Sequence, residues 1–186
     1  MNSLKTPKPL LAARMAFPLA ASLITVLLGE WIARGALTAD TVTSFIFPHA
    51  EAYLLAWLFL FLVWLLLDWI FQLPPLSTLG MAVLGCVPCA VNFYTLQLPW
   101  DLAQVSEAAG VASAAGIKIQ TSMIVTAVVE LALMAGSFFL YRGRHKQRWL
   151  PRVAGSAATA AALCLLIFGV YLQPAVCQAI GIVPDA

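Results

Sequence analysis

Apolar side chains run almost unbroken through five stretches of the chain, approximately 12–33, 52–72, 78–97, 121–141 and 153–173, and the charged residues gather mostly between them. Each stretch reaches the roughly 20 residues that an α-helix needs to cross the hydrocarbon of a bilayer. The second, AYLLAWLFLFLVWLLLDWIFQ, is the most uniform. Pro88 interrupts the third, and the fifth opens on alanines. The first run continues past Glu30 and Trp31 without a cleavage site, which makes it a span and not a signal peptide. Between spans two and three, LPPLS predicts a tight turn, because two prolines cannot continue a helix. After span three, Asp101 with Gln104 matches a capping box. Leu102, Val105 and Ala108 or Ala109 then fall on one stripe opposite Gln104 and Glu107, up to a break at Gly110 or Gly116. The pattern therefore predicts an all-α, polytopic integral membrane protein of five transmembrane helices, with one short amphipathic surface helix between spans three and four. Residues 1–11 form a cytoplasmic tail, 12–173 the membrane domain and 174–186 an extracytoplasmic tail. The small residues AGSAATAAA at the start of span five predict close packing inside the bundle. The Leu, Phe and Trp of span two predict a lipid-facing helix.

Composition supports the class. The 186 residues are 62% hydrophobic and 10% charged, with a mean hydropathy of +0.93, too apolar for a soluble core of this size. The six Trp, four Tyr and ten Phe suit interfacial aromatic belts. The formal charge of +2 says less than its distribution. With the N-terminus in the cytoplasm, the inner segments carry Lys5, Lys8, Arg14, Arg142, Arg144, Lys146, Arg148 and Arg152, and the outer ones only Arg34 and Lys118. This is the positive-inside bias of a multi-pass plasma (inner) membrane protein, and an odd number of spans places the C-terminus outside. Topology and anionic headgroups account for the basic inner loop, so no nucleic-acid partner is expected.

Ionisable groups inside spans need a reason, since each costs about 2.5–3.5 kcal/mol on insertion scales. Glu130, in the middle of span four, reads either as a proton-relay or ligand site or as a carboxyl group bonded to a neighbouring helix. Asp68, within a turn of the inner end of span two, reads as structural, in reach of water or the basic inner surface. Glu30 and Arg34 stand at i and i+4 on one face near the outer interface, where they can pair. Cys86 and Cys89 form C-V-P-C within span three, and Cys164 and Cys177 lie further on. A pair of this kind can exchange electrons with a quinone where a thiolate is favoured, or serve as small apolar residues. His49, beside Glu51, and His145 lack the partners of a zinc motif, and no phosphate-binding loop, nucleophile elbow or glycosidase-like carboxylate pair occurs. No catalytic residue, metal or cofactor is thus assigned to this chain.

One resemblance extends over nearly all of it. Glu30, Arg34 and Gly35 form an E-x-x-x-R-G at the end of the first span. Asn92 and Phe93 lead through Pro99, Trp100, Asp101 and Leu102 to Ser106 and Glu107. In this order, with five spans and an outward C-terminus, the chain resembles the membrane domain of lipoteichoic acid synthase-type enzymes, phosphoglycerol transferases of the alkaline-phosphatase/sulfatase superfamily. Thr95, Leu96, Gln97 and Leu98 stand where that family has a Lys and an Arg-Gly-Glu-Pro run. The resemblance implies membrane lipids as partners, an anionic glycerophospholipid among them. It also implies an extracytoplasmic catalytic domain or subunit, metal-dependent with a Thr nucleophile, that the chain lacks up to Ala186. The chain is then either the membrane part of a longer enzyme or a stand-alone relative working with a separate subunit. Glu30, Arg34, Asn92, Tyr94, Trp100 and Asp101 would line the outer edge of a lipid groove, with Trp100 anchored at headgroup depth and Asp101 capping the surface helix. Outside that resemblance, Trp100 and Tyr94 read as an aromatic belt. A thiol oxidoreductase using Cys86 and Cys89, or a small transporter centred on Glu130, are the alternatives.

Overall fold

The computed structural model describes residues 8–35, 38–95, 121–144 and 148–179. All its elements are helical: α1 (Lys8–Arg34), a short α2 (Ala39–Thr41) leading into a π-helical turn (Val42–Ile46), α3 (Ala50–Phe71), α4 (Pro74–Thr95), α5 (Thr121–Tyr141), α6 (Trp149–Leu166) continued by a second π-helical turn (Ile167–Tyr171), and α7 (Pro174–Ala179). Among the described residues four helices are long and apolar enough to cross a membrane, namely α1, α3, α5 and α6 with its π-turn. By that measure the chain is membrane-embedded. The third expected span coincides with α4, which is 22 residues long and is not among those four. The expected surface helix falls in 96–120, outside the described residues.

Local chemistry sets the helix ends. Gln72 adopts a left-handed conformation with φ 54° and closes α3 through a bond from its N–H to the Asp68 carbonyl. The turn predicted at LPPLS is therefore made by Gln72 and Leu73. The two prolines instead open α4, where first-turn N–H groups have no helical partner anyway. At the end of α1, Gly35 takes φ 72° and donates its N–H to the Trp31 carbonyl at 2.9 Å, a glycine cap that satisfies a terminal carbonyl.

The long helices alternate in direction. Thr25 of α1 meets Glu130 of α5 while Arg14 meets Leu140, an antiparallel pairing. Gly29 lies against Cys89 and Gly85 against Thr25, so α1 and α4 run parallel. α4 is the centre of the bundle, packed on α1, α3 and α5, and α6 rests on the far side of α3. This reverses two expectations. Span five is peripheral, burying Thr159, Leu163 and Leu166 and exposing Leu165 and Phe168. Span two packs on α1, α4 and α6 with Phe59, Leu60, Val63 and Trp64 buried, and keeps Leu54, Leu58 and Phe71 exposed. The small residues of α6 do allow one close approach, Gly155 against the Trp69 ring, but one such contact does not enclose a helix.

The distribution of polarity is inverted relative to a water-soluble bundle. Ser22, Thr25, Ser77, Thr78 and Ser137 are fully buried, while Leu54, Val128, Leu131, Phe139 and Leu165 are more than half exposed. Lipid tails solvate large aliphatic side chains as well as a protein core does, so the inside goes to small residues that allow close approach and to hydroxyls that bond a carbonyl one turn back. Thr25, Thr78 and Thr159 each do so, to Ala21, Pro74 and Gly155. Phe17, Trp64 and Tyr141 stack as a triangle with ring centroids 5.9 to 6.4 Å apart, joining α1, α3 and α5 near the end that carries most of the basic residues.

Candidate functional site

Three polar groups occur at three heights of the bundle. The first closes the end where α1 and α4 finish. Glu30 is buried and receives the Arg34 guanidinium in an ion pair one turn along the same helix. The Arg34 side chain stays 27% exposed, which keeps the cation at the surface of a pair whose anion is enclosed. Tyr53 of α3 and Cys89 of α4 line the same small cavity as Glu30, about 20 Å³ in volume, the size of one water molecule. The i, i+4 spacing thus forms the pair that the sequence predicts. Asn92 and Tyr94 lie on the last turn and a half of α4, beginning one turn beyond Cys89. Trp100 and Asp101 lie outside the described residues.

The second group is at mid-height. Glu130 is buried, and its Oε1 accepts a 2.8 Å bond from the Thr25 hydroxyl of α1, which also lies 3.0 Å from the Ala21 carbonyl. Oε2 has no hydrogen-bond partner among the described residues, and neither has the nearby Thr126 hydroxyl. Both side chains border an open groove of about 310 Å³ that Cys86 and Met123 also line. Glu130 is therefore tied to a neighbouring helix and also adjoins an open space. The C-V-P-C pair splits between two settings. Cys86 borders this groove, whereas Cys89 is buried with its sulfur against Gly29. All four described cysteines are free thiols.

The third group sits at the opposite end. Asp68 is buried and its Oδ2 accepts a 2.6 Å bond from Arg144. Gly143, at φ 78°, makes the turn that brings Arg144 back over the bundle. Arg14 donates from Nε to the Leu140 carbonyl at 2.9 Å and from Nη2 to the Arg142 carbonyl at 3.2 Å. In return the Tyr141 hydroxyl donates to the Arg14 carbonyl. That bond has a cause in the chain: Pro18 has no N–H, so the carbonyl four residues before it loses its helical donor. Sequence reading missed Arg14, Tyr141, Thr25 and Tyr53. The first was within reach, since a proline inside a span points to the carbonyl at i−4 as one that needs a foreign donor.

The chain matches no family model, no curated protein and no solved structure. Among the described residues no three His, Cys, Asp or Glu side chains group as they would around a metal. The three groups hold ions and hydrogen bonds at fixed positions, and the first places a surface cation, backed by a buried carboxylate, beside the helix that leads towards Trp100.

Proposed function

We propose that the chain is a five-span membrane domain that seats an anionic glycerophospholipid headgroup at the extracytoplasmic end of α1 and α4, for a phosphoglycerol-type transferase whose chemistry resides in a separate domain or subunit. The observation that carries this reading is a juxtaposition. Gly29 lies against Cys89 and Glu30 lines one small cavity with it, in the last turns of the helix that Arg34 ends, and Cys89 stands one turn before Asn92 on a parallel helix. Glu30, Arg34 and Gly35 and the helix position of Asn92, where the second half of the motif resembling lipoteichoic acid synthase-type enzymes begins, thus lie at one end of the bundle although far apart in the chain. A phosphate prefers arginine, whose fork matches its oxygens, and Glu30 fixes the orientation of that fork. The excess of basic residues at the other end supports a cytoplasmic N-terminus.

The test is made in cells that express the full chain and carry labelled glycerol in their phospholipids. Deleting the chain is expected to stop transfer of lipid-derived phosphoglycerol to an extracytoplasmic acceptor. Arg34→Gln should lower transfer by about tenfold, the loss of one charge-assisted contact, and Arg34→Lys should restore part of it. Label turnover that is unchanged in the deletion strain defeats the reading, as does a downstream gene region with no sulfatase-like catalytic domain.

The Glu130 Oε2, without a hydrogen-bond partner among the described residues and beside the 310 Å³ groove, favours a second reading, an ion-coupled carrier. Under it, Glu130→Gln abolishes proton-driven uptake in reconstituted vesicles. Uptake equal to the wild type removes the carrier and leaves Glu130 as a tie between α1 and α5.

A further inference from the structure

We propose that the crevice between the basic ends of α1, α3 and α5 binds one anionic phospholipid from the leaflet at that end, with its phosphate on Arg14 and Arg144 and an acyl chain along the apolar wall. The crevice has a volume of about 590 Å³. Arg14, Asp68, Tyr141 and Arg144 line its polar end, and Met15, Pro18 and Phe61 line the part that runs one to two helical turns towards the middle of the bundle. A polar mouth with an apolar trough behind it has the layout of a lipid, not of a soluble anion.

The two cations are already in place. The Arg14 and Arg144 guanidinium carbons stand 5.9 and 5.6 Å from the centre of the same Tyr141 ring. Arg14 is fixed by two backbone carbonyls and Arg144 by Asp68. A guanidinium carries five N–H groups, so these bonds leave donors on both. Two pre-positioned forks lose little freedom when they take a phosphate, which favours binding. Charge selects the lipid. Arg14 and Arg144 outweigh the single carboxylate of Asp68, and exposed Arg142 lies next to Tyr141, so the mouth carries a net positive charge that a zwitterionic headgroup leaves unneutralised. Basic pockets between membrane helices recognise anionic headgroups in this way. The wall is open to the membrane, with Leu11 54% and Met15 69% exposed.

This site is independent of the one proposed at the other end of α1, and the test separates them. The full chain is reconstituted in nanodiscs of phosphatidylcholine mixed with phosphatidylglycerol of the same acyl chains, and retained lipid is read by native mass spectrometry. The expected result is one phosphatidylglycerol retained over phosphatidylcholine by about tenfold. In an Arg34→Gln background, which disables the other proposed site, one phosphatidylglycerol is still retained with this preference, and the preference falls to near unity when Arg14→Gln and Arg144→Gln are added. Because Arg14 also bonds the end of α5, Met15→Trp gives a second reading: it fills the trough, leaves both arginines, and is expected to remove the bound lipid without lowering the melting temperature. Equal retention of the two lipids overturns the proposal. So does a preference that survives in Met15→Trp, or one lost in Arg34→Gln alone, and so does displacement by inorganic phosphate, which identifies a soluble-anion site.

Discussion

Gly85→Val is expected to destabilise the bundle by about 3 kcal/mol, the upper part of the usual range for overpacking a close-fitting interior. A Cβ at Gly85 falls 2.6 Å from the Thr25 methyl and 2.9 Å from a Leu60 methyl. The facing position offers no relief, because a Cβ on Gly29 meets the Gly85 carbonyl oxygen at 3.1 Å and the Cys89 sulfur at 2.9 Å. In lipid, such close backbone approach is itself the source of association, since no water is released when helices meet. A side chain here therefore separates α1 from α4 and also disturbs the hydroxyl that holds Glu130. Unfolding of the reconstituted protein, followed by steric trapping or by a melting curve, measures the loss. Gly85→Ala is expected to lose less and to recover part of it with Thr25→Ser, which removes the offending methyl and keeps the hydroxyl. A Gly85→Val protein that melts with the wild type contradicts the packing.

The second expectation concerns a bond that only makes sense through a proline. Tyr141→Phe deletes the donor to the Arg14 carbonyl and should destabilise by about 1–2 kcal/mol, a buried acceptor left unmade. In a Pro18→Ala background the alanine N–H serves that carbonyl within α1, and the same Tyr141→Phe change should then lose little. The coupling between the two substitutions, about 1 kcal/mol, is the quantity to measure in a double-mutant cycle. Full additivity means that the tyrosine acts only as part of the aromatic triangle. Its hydroxyl would then do nothing for the carbonyl.

The contrast between these two features shows what the chain discloses unaided. The spans were legible because a bilayer imposes a length on apolar runs, and helices formed over four of them at membrane length. The Glu30–Arg34 pair was legible because both partners sit on one helix, where spacing alone fixes the geometry. Partnerships across helices were not. Thr25 and Glu130 are 105 positions apart, and nothing in either neighbourhood names the other. The placement of α3 and α6 was misread for a related reason. In lipid a Leu- and Phe-rich helix is equally at home inside or outside, so its composition does not declare its neighbours. Small residues permit burial without requiring it, as α6 shows.

The Arg14–Tyr141 bond also orders biogenesis. The carbonyl that Pro18 leaves without a helical donor waits for a hydroxyl 127 positions downstream, so a ribosome delivers α1, α3 and α4 to the bilayer before that vacancy can be filled. The nascent chain must carry an incomplete first helix until α5 arrives.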